Sequence, residues 1–328
     1  MRTHVIRVVL ATMCLSSNAV HAGTPLPEVD ISPARAASIE TEAARQFWVL
    51  AGKPDVRSSS VVIFDETDEA VLYSKDADRA RSIASITKLM TAIVVREANL
   101  PLDEMIKISL DDRDTEKGTT SRLLVGTKLT RGDLLHLALM SSENRAAHAL
   151  GRTYPGGLVE FVKAMNAKAK ALDMQSARFV EPTGLSSGNV ASANDLVKLV
   201  RAAAEDPLIR EYSTSPSHIV AVGSELLEFK NSNSLVRKDD WHIALQKTGY
   251  TSEAGRCLVM TALVEKRPIV MILLNSFGKY TRIADARRVR NWMEASLHSE
   301  QLASSPTQGN TTPALSVKGE GEGRAVAH

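Results

Sequence analysis

The run Ile83-Ala84-Ser85-Ile86-Thr87-Lys88-Leu89-Met90-Thr91-Ala92-Ile93-Val94-Val95-Arg96-Glu97-Ala98 contains neither Gly nor Pro and is strongly apolar. It predicts one helix from Ile83 to Ala98. Ser85 and Lys88 stand three residues apart near its start, so they share a face about one turn apart and the ammonium nitrogen can reach the hydroxyl.

Upstream, Ser60–Phe64 and Ala70–Tyr73 are β-rich runs around Asp65–Glu69, which reads as a hairpin with a longer loop. Downstream comes a polar stretch, Ser109–Ser121, then apolar Leu134–Met140 and Asn144–Gly151. Helices are expected over Leu158–Leu172 and 193–204, the latter capped by Ser192 or Asn194. Strands return at Ile243–Thr248, Cys257–Val264 and Ile269–Asn275, the last two joined by the turn Glu265-Lys266-Arg267-Pro268. Thr281–Leu297 reads as an amphipathic helix carrying Ile283, Val289, Trp292 and Met293. Strands from both ends with helices between them predict an α/β (α+β) fold: one antiparallel sheet built from the two termini, with a helical region inserted beside it. A catalytic cleft would lie where those helices meet the sheet edge.

The flanks read differently. Residues 1–22 have Arg2 and Arg7, the short apolar run Val8–Leu15, and Val20-His21-Ala22 before Gly23, the pattern of a cleaved secretory signal peptide. The apolar run is too short for a membrane span, and no later uncharged segment reaches the required length of about 20 residues. Residues 23–56 form an arm in which Pro33–Phe47 reads as one helix. The main folded unit is expected at 57–299, and 300–328, free of aromatics and rich in Ser, Thr, Gly and Gln, reads as a disordered tail.

The 328 residues are 44% hydrophobic and 24% charged, as in ordinary globular proteins. Removing the leader takes Arg2 and Arg7 from 40 Lys+Arg and nothing from 38 Asp+Glu, leaving a formally neutral chain. Neutrality speaks against a nucleic-acid binder, and Arg287-Arg288-Val289-Arg290 is read as the solvated face of the closing helix. Cys14 leaves with the leader, so Cys257 is the remaining thiol, without an intrachain partner; at the head of an apolar run it reads as a small hydrophobe. The eight His include no His-Glu-x-x-His or other close pair, so no metal or other cofactor is called for. His136 and His148 are read as helix-surface or core-edge residues, and Trp48, Trp241 and Trp292 as core.

Three short motifs occur in order: Ser85-Ile86-Thr87-Lys88, Ser142-Glu143-Asn144 at a break between helical segments, and Lys247-Thr248-Gly249 at the end of a strand. Each is weak alone; Ser-x-Asn also occurs at Ser16, Ser187 and Ser192. Their order, spacing and fit to a helix start, a loop and a strand end raise their weight. A serine nucleophile needs an adjacent base. Lysine with an ordinary pKa near 10.4 is neutral in only about 1 molecule in 2,500 at pH 7, and a fall of about three would make that roughly a quarter. Burial and the second cation of Lys247 are the expected causes, making Lys88 the candidate general base. Ser142 can relay a proton to a leaving amine, and Asn144 can hold Lys88 and the substrate backbone. Lys247 and Thr248 can grip a carboxylate, and Gly249 lets substrate approach the strand. The backbone N–H groups of Ser85 and Tyr250 are the natural oxyanion donors.

These motifs resemble those of the serine-type penicillin-binding proteins and β-lactamases. Arg81 to Ala92 is similar to the low-molecular-mass D-Ala-D-Ala peptidases. Leu139-Met140-Ser141-Ser142-Glu143-Asn144-Arg145-Ala146-Ala147 and Phe179-Val180-Glu181-Pro182-Thr183-Gly184-Leu185 resemble the D-alanyl-D-alanine endopeptidase subgroup. The resemblance covers about residues 57–297. It implies a periplasmic enzyme that hydrolyses D-alanyl cross-links of peptidoglycan through an acyl-enzyme on Ser85 and is acylated by penicillins; other wall enzymes stay open as partners. Two departures from the carboxypeptidase branch are Glu143, where those enzymes usually carry Gly, and a C-terminal tail in place of a β-rich second domain and an amphipathic anchor. The alternatives are a carboxypeptidase, a β-lactamase using Glu181, for which a loop carboxylate is the simpler reading, and a penicillin-sensing or wall-binding module without turnover.

Overall fold

The computed structural model of the chain describes Trp48 and residues 51–304. The expected leader, most of the arm with its expected helix, and the chain beyond Ser304 lie outside the described residues. The chain begins its sheet with the expected hairpin, β1 (Ser60–Asp65) and β2 (Ala70–Lys75), followed by the short β3 (Arg81–Ser82). A single 3-10 turn, Ala84–Ile86, then leads into α1 (Thr87–Glu97). The helix therefore starts four residues later than the apolar run does. Ala84, at φ 47, breaks the regular winding, and Ser85 sits in the tight turn instead of the helix proper.

The inserted region follows: a small ladder, β4 (Met105–Lys107) with β5 (Lys128–Thr130), then α2 (Arg131–Met140), α3 (Asn144–Arg152) and α4 (Gly157–Ala171). After β6 (Val190–Ala191) comes α5 (Ala193–Glu205). Ser192 is its cap: the hydroxyl accepts from Asp195 N at 3.1 Å, and the Asp195 carboxylate returns the bond to the Ser192 amide. Helix α6 (Pro207–Thr214) and the hairpin β7 (Ser217–Val222)–β8 (Glu225–Lys230) were not foreseen. Asp206 before Pro207 was the available signal. Its carboxylate accepts from Leu208 N and Ile209 N, the arrangement that a capping Asp and a first-turn Pro favour.

The last three strands, β9 (Ile243–Thr251), β10 (Gly255–Val264) and β11 (Arg267–Ser276), are joined by hairpins and complete an antiparallel sheet in the order β2-β1-β11-β10-β9. The turn between β10 and β11 is tighter than expected. Glu265 and Lys266, at φ 49 and 64, are its two residues, and Pro268 already pairs with Leu263 inside the ladder. Helix α7 (Thr281–Ser304) closes the described chain and extends beyond Leu297.

The sheet is buried on both faces, and side chains alternate between them as the pleat requires. Val62, Phe64, Val259, Val270 and Ile272 join Leu89, Ile93, Leu134 and Leu196 of the helical side in one core. Val61, Ile63, Leu258, Met260, Met271 and Leu273 form the other with Trp48 and with Ala286, Val289 and Met293 of α7. Each such side chain contributes about 1.5–3 kcal/mol by leaving water. Asp285 ties the start of the sheet to α7: its fully buried carboxylate accepts from Ser58 N at 2.7 Å, Arg57 N at 3.0 Å and the Ser58 hydroxyl at 2.6 Å. Cys257 is a buried free thiol in β10, its pKa pushed up to about 11 by burial. On α1 every residue from Thr87 to Val95 is buried, so Lys88 is carried into the core by the helix that holds it. No helix among the described residues is long and apolar enough to cross a membrane.

Candidate active site

Three pieces of chain converge at the β9 edge of the sheet. The first is the 3-10 turn and the start of α1. Lys88 Nζ donates to Ser85 Oγ at 2.9 Å, Asn144 Oδ1 at 2.7 Å and the Thr183 carbonyl oxygen at 2.6 Å. Its three donors thus meet three acceptors from separate parts of the chain. Burial lowers the Lys88 pKa to about 8, against an opposing pull from the Glu181 and Glu143 carboxylates. The expected help from Lys247 is not among the causes. The repulsion falls on Lys247 instead: burial, then the charges of Lys88 and Arg282, hold its pKa well below the ordinary lysine value.

The second piece is the three-residue break, Ser141–Glu143, between α2 and α3. Ser142 adopts φ 65, a conformation that costs a non-glycine residue free energy and here reverses the chain. Glu143 caps α3, accepting from Arg145 N at 3.3 Å, and Asn144 begins the helix with its amide on Lys88. Asn144 also donates to Thr119 Oγ1 at 3.2 Å, which links the loop after β4 to the site. Among the described residues, the Ser142 hydroxyl takes no part in the hydrogen bonds that join Ser85, Lys88 and Asn144.

The third piece is β9. It is an edge strand, so its outer backbone N–H and C=O groups have no neighbouring strand. A Cβ on Gly249 would lie 3.0 Å from the Ile83 carbonyl oxygen and 3.2 Å from Ser85 N. The missing side chain therefore brings the strand against the nucleophile turn, as well as leaving room above it. Lys247 Nζ is fully buried and donates to the Thr248 carbonyl oxygen at 2.9 Å; Thr248 Oγ1 donates to Ser232 Oγ at 2.7 Å. Tyr250 is exposed, with the Arg256 guanidinium 4.3 Å from its ring centroid.

The segment Glu181–Asn189, which overlaps the Phe179–Leu185 resemblance, supports the first of these. Pro182 O accepts from Thr91 Oγ1 at 2.7 Å and Thr183 O accepts from Lys88. Gly184, at φ +84, lies directly beneath the Ala84–Ser85 peptide. Arg282, at the start of α7, also escaped the sequence reading. It donates to the Gly249 carbonyl oxygen at 3.4 Å and keeps a buried Nε without a hydrogen-bond partner. No group of three His, Cys, Asp or Glu among the described residues is arranged to hold a metal.

A serine on a tight turn before a buried helix, a lysine drawn to it, an asparagine from a helical break and an edge strand bearing Lys-Thr-Gly together define the class of serine DD-peptidases and transpeptidases. The solved Streptomyces K15 DD-transpeptidase shares this fold, with a TM-score of 0.68 at 27% identity, covering 74% of this chain and 99% of that one. Residues 48–278 match the family Peptidase_S11, described as D-alanyl-D-alanine carboxypeptidase, and the chain belongs to that family. It is 48% identical over 246 residues to the D-alanyl-D-alanine endopeptidase of Escherichia coli strain K12, covering 74% of this chain and 79% of that protein. It is likewise 48% identical over 242 residues to the D-alanyl-D-alanine endopeptidase of Pseudomonas aeruginosa, covering 73% and 78%.

Proposed function

We propose that this serine peptidase hydrolyses D-alanyl cross-links of peptidoglycan by an acyl-enzyme on Ser85, in the periplasm to which the leader directs it. The observation that carries the reading is the 2.9 Å contact between Nζ of the fully buried Lys88 and Oγ of the half-buried Ser85. With a pKa of about 8, roughly a tenth of Lys88 is neutral at pH 7, far more than for an exposed lysine. In that form the same contact runs with the hydroxyl donating to the amine. Lys88 takes the Ser85 proton as Oγ attacks the D-alanyl carbonyl carbon. The negative oxygen is received by the Ser85 and Tyr250 N–H groups. As the C–N bond breaks, the proton passes through the Ser142 hydroxyl to the departing amine. Water then attacks the ester, giving its proton to Lys88, which returns it to Ser85 Oγ as the C–O bond breaks, and the acid and free serine are released.

Edge strand β9 offers the substrate an extra-strand position, with Gly249 beneath it. Lys247, Thr248 and Arg282 supply donors for a carboxylate, and Asn144 fixes both Lys88 and the incoming peptide. The two endopeptidases at 48% identity favour cross-linked peptide over a free pentapeptide terminus as the main substrate. Against the β-lactamase alternative stands Glu181, whose two carboxylate oxygens are occupied by N–H donors of its own loop and Asn189.

The test is intact-protein mass spectrometry after adding benzylpenicillin, with peptide mapping, beside digestion of purified cross-linked muropeptide dimers. A lasting adduct on Ser85, absent from S85A, together with release of monomers is expected. An adduct retained by S85A would overturn the nucleophile, and an adduct without dimer cleavage would leave a carboxypeptidase or sensor.

A further inference from the structure

We propose that Glu181 is a positioning residue for Lys88: its carboxylate gathers the turn that presents the Thr183 carbonyl to the lysine and places a negative charge facing the ammonium. The inference deepens the reading above and rests on Lys88 as the base. Glu181 Oε2 accepts from Thr183 N at 2.5 Å, and Oε1 accepts from Gly184 N at 2.6 Å, Asn189 Nδ2 at 2.7 Å and Ser186 N at 3.4 Å. A carboxylate is the side chain suited to this place, because it accepts on both oxygens and donates on neither. Around it, the chain bends so that the Thr183 amide faces Glu181 while the Thr183 carbonyl faces Lys88 Nζ at 2.6 Å. Asn189 Nδ2 continues the tie to Thr87 Oγ1 at 3.1 Å, one residue before Lys88.

The electrical consequence follows from the same placement. Glu181 and Glu143 both favour the charged form of Lys88, while burial disfavours it. Lys247 of β9 is the other charge in this cluster, itself acted on by Lys88 and by Arg282 of α7, and Glu116 faces Glu181 from the loop after β4. Glu181 thereby limits how far burial lowers the lysine, and keeps its proton affinity near the working pH where a general base is most effective.

The experiment follows the second-order rate of Ser85 acylation by benzylpenicillin against pH for the full chain, E181Q and E181D, with thermal melts of each. In E181Q the amide NH2 must confront a backbone N–H and the charge is lost. The rising limb is expected to move to lower pH by about 0.5 or more, and the plateau to fall about tenfold or more. In E181D the charge remains but is one methylene short of the turn, so the limb stays while the plateau falls. A limb in E181Q that coincides with wild type overturns the inference, as does a wild-type plateau in E181D. Should E181Q fail to fold, the E181D plateau decides alone. A wild-type chain that forms no Ser85 adduct would overturn the reading of the site, and this inference with it.

Discussion

Gly184 packs so closely beneath Ala84 that a Cβ there would stand 1.9 Å from the Ala84 carbonyl oxygen and 2.7 Å from Ser85 N. The loop that supplies an acceptor to Lys88 is therefore also the floor of the nucleophile turn. G184A meets a backbone obstacle and an unfavourable φ of +84 together. It is expected to lose about 2–4 kcal/mol of stability, measured by urea unfolding, and to lose most Ser85 acylation at temperatures where it stays folded. Wild-type acylation would show that the turn tolerates displacement.

The pH dependence of the reaction follows from the base. Lys88 acts when neutral, so the rate of Ser85 acylation should rise with pH through about 8 and level above it. For a cation whose pKa is depressed by folding, stability also rises with pH between the folded value and the unfolded value near 10.4. K88M, which cannot titrate, should lack both the limb and that part of the stability rise. A rate limb centred near pH 10 would mean that burial does not act on the base.

Acid stability has a separate source in Asp112, which is held by His148 and Arg152. Burial raises its pKa, but hydrogen bonds from His148 and Arg152 and from Ser109 N outweigh that and bring it to about 2. Arg152 holds it with two bonds of 2.9 Å. The stabilisation is present above the unfolded pKa of about 4 and is lost as pH falls toward 2. D112N should cost about 2–4 kcal/mol near neutrality and flatten the stability profile across that window in denaturant titrations.

Lys117 pairs with Glu253 of the β9–β10 turn, joining the loop after β4 to the end of the strand that bears Lys247. Asp114 shapes this loop by accepting from Glu116 N, Lys117 N and Thr119 N. Because both partners are partly exposed, K117A should leave the thermal midpoint unchanged. Hydrogen exchange across residues 114–119 should nevertheless quicken, and it should quicken in wild type as salt is raised. Unchanged exchange in K117A would mean that Asp114 alone orders the loop.

Much of this was legible in the chain because it depends on local pattern. The hairpin, the late strands and α1 announced themselves through apolar runs and turn residues, and the three-residue spacing of Ser85 and Lys88 already made them neighbours, although Ser85 lies in the 3-10 turn before α1. Ser192 and Ser142 show the limit. Both occur in Ser-x-Asn runs, yet Ser192 caps α5 while Ser142 takes φ 65 at the break beside Lys88. The difference lies in what each segment packs against. Helix α6 is short and its burial is completed by distant partners, such as Asn231 on the Ser213 carbonyl, whereas the hairpin β7–β8 carried a local signal that went unread, Ile219–Val222 and Leu226-Leu227 around Gly223-Ser224.

By itself, the sequence determined the layered α+β architecture and the three motifs with their chemical capacities, since side-chain type and short-range periodicity are written residue by residue. Tertiary structure alone decided that the Thr183 carbonyl completes the shell of Lys88, that Gly184 and Gly249 clasp the Ser85 turn, and that Lys247 bears the repulsion between two buried ammonium groups. Contacts across 95 residues, the room left by an absent Cβ and the loss of water around a charge arise only when separate segments pack together.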